Sequence, residues 1–195
     1  MSRSEQDVDL IDTLLDIDDN STIYAARHFR DEVLVGTQES YDALFSEELS
    51  LPLNIRFLVA LYASTLSQAK ELTTHYEAEL RNISGTREAL EAEVNGVLTD
   101  DLTLIEDPIV RAVLEFTRTL ILNPLASDKN ALLALEASGI SVADCIALAQ
   151  LIAFLSYQIR LVSGLRAMQI LEKSAGVNIL ESMDLPMKYW AGKHG

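Results

Sequence analysis

The chain has 195 residues, of which 49% are hydrophobic, and this composition excludes an intrinsically disordered protein. Its formal net charge of −15 at pH 7 predicts a surface that repels phosphate backbones and anionic lipid headgroups, which argues against nucleic-acid and membrane partners. Alanine and leucine are abundant, and only four prolines and eight glycines interrupt the sequence. The composition therefore favours an all-α fold.

The first 48 residues predict short helices that wrap a core built by later segments. The predicted elements are a helix over Val8–Asp16, a helix that is capped by Ser21 or Thr22 and ends at Arg30, and a helix capped by Thr37. Each is too short to be stable alone, so we expect residues 1–48 to depend on the core helices of residues 49–175.

The segment from Leu49 to Leu80 predicts one long helix that begins near Pro52 and ends before Gly85. Four of its polar side chains follow one another at offsets of four, three and four, which places them on one narrow face of a helix. They are Ser64, Gln68, Glu71 and His75. His75 could transfer protons near neutral pH, and Glu71, one turn earlier, could orient it. The alternative is an ordinary surface pair of glutamate and histidine, which the spacing alone favours.

Other polar groups give weaker evidence for a metal site or for a catalytic thiol. Glu71 and His75 would supply two ligands to a metal ion that normally needs three or four, so we predict no metal site and no cofactor. The single cysteine, Cys145, excludes an intrachain disulfide and a Cys-x-x-Cys pair, and we interpret it as a structural filler. Gln158 and Arg160 lie in an apolar helix, where they either line a pocket or pair with another helix.

The second half of the chain contains clear helix boundaries. Asp107-Pro108 predicts the start of a helix that stops at Asn123-Pro124. The remaining predictions are a helix capped by Thr86, a helix from Ser127 to Gly139, a long apolar helix that opens with a capping box at Ser141–Asp144, and a docking tail over 176–195 that contains Tyr189 and Trp190.

Two features of the sequence bear on localisation. The first ten residues lack the cationic and then apolar pattern of a signal peptide. The uncharged stretch from Cys145 to Ile159 is shorter than the ~20 apolar residues that cross a bilayer. We therefore expect a cytoplasmic protein consisting of one domain over 1–195.

Three passages suggest a family. They are NIRFLVALYASTLSQAKELTTHYEAEL, DPIVRAVLEFTRTLILNPLASDKNALLALEASGIS and DCIALAQLIAFLSYQIRLVSGLRAM, and the opening segments DVDLIDTLLDI and ESYDALFS add to them. Together they resemble the carboxymuconolactone decarboxylase and alkylhydroperoxidase-D-like (AhpD-like) proteins, particularly their peroxidase-related members. The resemblance covers nearly the whole chain. It implies an all-α multi-helix bundle and a homo-oligomer, often a trimer or hexamer, in which helices pack across subunits.

The resemblance also implies where the chemistry would lie. The redox branch of the family has a glutamate, then Cys-x-x-Cys, then three residues and a histidine. Alignment on His75 places the cysteines at Gln68 and Glu71 and the glutamate at Arg56, so only the histidine remains. Thiolate attack on a peroxide needs a sulfur nucleophile, and we therefore expect no thiol peroxidase activity.

Two other functions stay open. The decarboxylase branch does not require the cysteine pair, and there His75 would act as general acid or base while Arg56 could hold a substrate carboxylate. Ser64, Gln68 and Tyr76 would complete that pocket around a small-molecule ligand. The second alternative is a binding or assembly protein without catalysis.

Overall fold

The computed structural model describes residues 9–85 and 88–175. Within these ranges the secondary structure is helical and contains no strand, which confirms the all-α prediction. The helices are α1 (Leu10–Leu15), α2 (Thr22–Arg27), α3 (Asp31–Leu44), α4 (Leu53–Leu66), α5 (Lys70–Ser84), α6 (Glu88–Thr99), α7 (Pro108–Leu122), α8 (Lys129–Ala137) and α9 (Val142–Ala175). The predicted cap Thr86 and the predicted tail over 176–195 lie outside the described residues.

Several predicted helix starts are confirmed, because their caps make local hydrogen bonds. The Ser21 side chain accepts from the backbone of Tyr24 at the start of α2. Asp107 accepts from Ile109 at 2.7 Å, and Pro108 occupies the first turn of α7. These contacts span two or three residues, so the sequence is sufficient to predict them.

The prediction of one long helix over Leu49–Leu80 is wrong. The chain forms α4 and α5, and between them Gln68 adopts a left-handed backbone with φ of 56°. The backbone amide of Ala69 donates to the carbonyl of Ser64 at 2.9 Å and closes this turn. The polar positions that the sequence placed on one face are therefore divided between two helices, since Ser64 lies on α4 and His75 on α5.

Other helix boundaries also differ from the prediction, and α2 ends at Arg27 instead of Arg30. Thr37 lies inside α3, where its hydroxyl donates to the carbonyl of Val33 at 2.8 Å instead of capping a helix. Helix α3 begins earlier, at Asp31, and carries acidic residues in its first turn. The cap of α8 is Asp128, one residue after the predicted Ser127, because its carboxylate accepts from two backbone amides.

The contacts divide the chain into two units, one of residues 38–161 and the other of 1–37 with 162–195. In the unit of residues 38–161, α4 packs against α5, α6 and α7. Nine consecutive residues of α4, from Arg56 to Ser64, are buried, so this helix forms the centre of the unit. Helix α5 is amphipathic and buries Leu72, Tyr76 and Leu80.

The unit of residues 1–37 and 162–195 has its own small core. Its buried apolar side chains are Ile11, Leu15, Ile17, Ile23, Val162 and Leu165. Asp12 lies at the centre of a polar cluster, since it accepts from Arg27 at 2.6 Å and lies 2.7 Å from the Nε2 atom of His28. Gln169 donates to the backbone carbonyl of Leu15 at 2.9 Å and joins α9 to α1.

Helix α9 is the long apolar helix that the sequence predicts after the capping box at Ser141–Asp144. Its 34 residues make Val142–Ser174 long and apolar enough to cross a bilayer by length and composition alone. The core helix of a soluble protein satisfies the same test, and α9 buries one side, including Leu148, Leu151 and Leu155. The length of α9 is therefore weak evidence for a membrane-spanning helix.

Candidate functional site

His75 forms a pair with Tyr41 in the unit of residues 38–161. The Nε2 atom of His75, on α5, lies 2.9 Å from the phenolic oxygen of Tyr41, on α3. When the imidazole carries its proton on Nδ1, the phenol O–H donates to Nε2. Both side chains are partly buried. Sequence reasoning missed Tyr41, because 34 residues separate it from His75 and no local pattern connects them.

Aromatic rings surround this pair. The Phe45 ring lies 4.8 Å from that of Tyr41 and stacks on Phe57 at 4.5 Å. The Tyr76 ring lies 5.0 Å from the imidazole of His75 and 5.5 Å from Phe45. These rings exclude water from one side of the pair, and the interactions of the pair are consequently stronger than they would be in solvent.

The protonation of the pair follows from its burial. Burial lowers the pKa of His75, and the nearby charge of Glu79 opposes this shift in part. Burial raises the pKa of Tyr41, and the charges of Glu79 and Asp42 add to that rise. At neutral pH the site therefore contains a neutral imidazole beside a neutral phenol. Such a pair can accept one proton at His75 and donate another.

Glu79 lies one helical turn after His75, whereas Glu71, which we expected to orient the imidazole, lies one turn before it. Glu71 is half-buried near the start of α5, on the same helix as His75. Glu79 is the carboxylate whose charge raises the pKa of His75. Spacing alone could not decide between them, because residues four positions before and after His75 are equally close to it along a helix.

Tyr76 lies next to His75 in sequence but is directed into the core. Its hydroxyl donates to the side-chain oxygen of Gln158, on α9, and both residues are buried. Burial raises the pKa of Tyr76 well above its ordinary value. Gln158 thus pairs with another helix, which is one of the two possibilities that the sequence left open.

Arg56 holds backbone carbonyls and faces no carboxylate among its hydrogen-bond partners in the described part of the chain. Its guanidinium donates to the carbonyls of Leu44, Ser46 and Leu51, and the side chain is 1% exposed. Leu44 is the last residue of α3, so Arg56 satisfies carbonyls where the helix carrying Tyr41 ends. With its donors engaged in this way, Arg56 supports the site and is not available for a substrate carboxylate.

Two other predicted pocket residues, Ser64 and Gln68, take no part in the hydrogen bond of the pair. Ser64 is buried and donates to the carbonyl of Ala60 at 2.7 Å, within its own helix. Gln68 is exposed at the break between α4 and α5. Neither position supplies a group to the hydrogen bond between Tyr41 and His75.

The sulfur of Cys145 does not contact His75. Cys145 lies in the first turn of α9, and burial together with Glu136 and Asp144 raises the pKa of its thiol. Among the described residues, the hydrogen-bond and ring partners of His75 are Tyr41 and Tyr76. A thiol with a raised pKa is a poor nucleophile at neutral pH.

Within residues 9–85 and 88–175, no group of three or more His, Cys, Asp or Glu side chains could hold a metal ion. A groove of about 650 Å³ lies beside the start of α6, and a cavity of about 340 Å³ lies beside the end of α9. His75 lines neither of them.

Comparison with known proteins relates this fold to a solved structure. No protein-family model matches the chain, and no similar protein was found among the curated ones. Among solved structures, the chain is similar to an uncharacterized peroxidase-related protein from Silicibacter sp. TM1040. The two are 19% identical, the match covers 71% of each chain, and the TM-score is 0.63. At this identity the likeness shows the fold alone: the chain shares its all-helical fold with a peroxidase-related protein.

Proposed function

We propose that this chain is a peroxidase-related, AhpD-like homo-oligomer that lacks Cys-x-x-Cys peroxidase chemistry and uses His75 for proton transfer on a small organic molecule. The proposal depends on one observation. The histidine that the family resemblance retains is hydrogen-bonded to a phenol, Tyr41, at 2.9 Å and has no sulfur among its partners in the described residues. The shared fold supports the peroxidase-related lineage.

The proposed chemistry is general acid and base catalysis without a cofactor. A neutral imidazole can take a proton from a carbon or oxygen of the substrate, and the charge of Glu79 would stabilise the imidazolium that forms. This chemistry uses the tautomer in which Nε2–H of His75 donates to the phenolic oxygen of Tyr41. Nδ1 is then free to take the proton, and the phenol O–H is free to donate to a developing oxyanion. Decarboxylation or isomerisation of a carboxylated lactone is the reaction class that such a site fits.

Self-association is the second part of the proposal. On α9, an exposed stripe follows offsets of four, three, four and three. Its members are Ile146, Gln150, Ala153, Tyr157 and Arg160. This spacing is the seam of a helix that packs against another helix. We propose that a second copy of the chain covers the stripe, because exposing the polar side chains of Gln150 and Arg160 to lipid would cost free energy. A cytoplasmic location without nucleic-acid or membrane partners remains part of the proposal.

The test is turnover of a substrate panel by the purified chain. The panel contains carboxylated lactones and β-keto acids, followed by release of carbon dioxide, and an organic hydroperoxide with a dithiol reductant. We expect turnover of a carboxylated substrate that His75→Gln lowers by at least about 100-fold, because removal of a general acid or base typically costs that much. We expect no hydroperoxide turnover above background.

Matched variants distinguish acid and base catalysis by His75 from thiol chemistry at Cys145. Tyr41→Phe removes one hydroxyl and should lower kcat by less than His75→Gln. Cys145→Ser should change nothing. Hydroperoxide turnover that Cys145→Ser abolishes would contradict the absence of thiol chemistry.

A binding or assembly protein is the alternative function. The observation that favours it is that His75 lines neither the groove beside α6 nor the cavity beside the end of α9. Equal turnover by the wild type and by His75→Gln would reject the enzyme proposal and leave this alternative.

A further inference from the structure

Three tyrosine hydroxyls in the unit of residues 38–161 pair with three different acceptors. The hydroxyl of Tyr41 pairs with an imidazole nitrogen of His75, and that of Tyr62 donates to the carboxylate of Asp100. The hydroxyl of Tyr76 donates to the amide oxygen of Gln158. The three phenols are partly or fully buried, so their acceptors decide how readily each phenol can lose its proton.

The acceptors differ in basicity. An amide oxygen is not protonated under physiological conditions, so Gln158 cannot take the proton of Tyr76. Hydrogen bonds from Arg118 and Tyr62 lower the pKa of Asp100, which makes its carboxylate a weaker base than an ordinary aspartate. A neutral imidazole is a much stronger base than either. Tyr41 therefore has the strongest base among these three tyrosines.

Basicity matters because a phenol that loses one electron becomes a strong acid. Removal of an electron from a buried tyrosine without removal of its proton would leave a positive charge in apolar surroundings, which is costly. Transfer of the proton to a hydrogen-bonded base moves that charge from the phenol to the imidazole of His75, where the charge of Glu79 opposes the cost of burial. The Tyr41–His75 pair has this arrangement at 2.9 Å.

We propose that Tyr41 is a redox-active tyrosine, which a diffusible one-electron oxidant of the peroxyl-radical class oxidises while the phenolic proton moves to Nε2 of His75. The O–H bond of Tyr41 breaks and an N–H bond forms on His75. One electron passes to the peroxyl radical, which becomes a peroxide anion and takes a proton from water. The products are a neutral tyrosyl radical, an imidazolium, a hydroperoxide and the hydroxide left by the water.

The surroundings of the pair suit this role. Tyr41 is partly exposed, so an oxidant in solvent can approach its ring. Phe45 and Phe57 form part of the aromatic wall and resist oxidation because they have no hydroxyl. The charge of Glu79, which already acts on His75, would stabilise the imidazolium.

This inference uses the same pair as the proposed function but needs no organic substrate. Its failure would leave acid and base catalysis by His75 untouched. Conversely, a chain without turnover of any carboxylated substrate could still form the radical.

The experiment generates a one-electron oxidant by light in the presence of the purified full chain. A flash oxidises ruthenium tris-bipyridine, with persulfate as electron acceptor, and rapid freezing is followed by electron paramagnetic resonance. We expect a tyrosyl signal that Tyr41→Phe removes. His75→Gln, which keeps a polar side chain but removes the base, should lower its yield about tenfold or more.

Tyr62→Phe is the matched control, since the hydroxyl of Tyr62 donates to Asp100, a weaker base than His75. The signal should survive in this variant, and circular dichroism should show that all three variants are folded. Slower radical formation by the wild type in deuterium oxide is expected, because the proton moves with the electron. A signal that persists in Tyr41→Phe, or that keeps its full yield in His75→Gln, would overturn the proposal.

Discussion

His75 experiences two opposing influences, burial and the charge of Glu79. Burial is the larger, and the pKa of His75 is lowered in the folded chain. The unfolded chain therefore binds more protons than the folded chain when the pH lies between this lowered pKa and the ordinary value of 6.5. Across that window the free energy of unfolding rises with pH. The stabilisation that comes from the neutral imidazole is therefore fully present above pH 6.5 and is lost as the pH falls through the folded pKa.

His75→Gln should flatten this dependence, because glutamine does not titrate. The measurement is the free energy of unfolding in urea at a series of pH values for wild type and variant. Glu79→Gln should lower the pKa of His75 further, which nuclear magnetic resonance titration of the imidazole would show. Identical pH dependence in wild type and His75→Gln would contradict the role of burial.

Arg56 stabilises the folded chain through its hydrogen bonds to backbone carbonyls. Arg56→Met would leave carbonyls at the end of α3 without donors, and we expect a loss of about 3 kcal/mol in the free energy of unfolding. Urea denaturation of the variant measures this loss. Arg30→Met is the control, since Arg30 is exposed and lies outside the stripe on α9. Equal effects of the two substitutions would show that the buried contacts of Arg56 are unimportant.

At the scale of elements, the break between α4 and α5 redirects the chain. Gln68 has a φ of 56°, a backbone conformation that is strained for residues other than glycine. Gln68→Gly should relieve this strain and raise the free energy of unfolding by about 0.5 kcal/mol, after the added flexibility of the unfolded chain is subtracted.

The matched control for this prediction is Ala78→Gly, at an exposed position inside α5. There glycine should cost about 1 kcal/mol, because the backbone is already relaxed in a helix. Thermal unfolding of both variants measures the difference. Destabilisation by Gln68→Gly of the same size would mean that the helix continues through position 68.

Local sequence patterns predict some helix boundaries of this chain but not others. The start of α7 at Asp107-Pro108 and the capping contact of Ser21 were predictable, because each is set by residues two or three positions apart. No glycine or proline marks the break at Gln68, and the helical pattern continues through it. The turn depends on how α4 and α5 pack, which a local pattern does not contain.

At the scale of the whole molecule, the exposed stripe on α9 predicts self-association. Light scattering coupled to size exclusion should give a mass that is a multiple of the 21.5 kDa of one chain. Ile146→Glu with Tyr157→Glu should lower the mass to that of one chain, since buried charges oppose packing. Both residues are exposed, at 55% and 41%, so the substitutions should leave the monomer folded.

Leu125→Glu provides the control for this prediction. Leu125 is 96% exposed, and it lies outside the stripe. The same substitution there should leave the mass unchanged. A wild-type mass of 21.5 kDa would contradict the homo-oligomer.

The amino-acid sequence by itself determined the helical class, several caps, the absence of a cysteine pair and the importance of His75 as a candidate. These depend on composition or on neighbours within one helical turn. Only the tertiary structure decided that Tyr41 meets His75, that Arg56 is buried on backbone carbonyls and that α4 and α5 separate at Gln68. Each of these results from packing between helices, which brings together residues that are distant along the chain and that no local spacing relates.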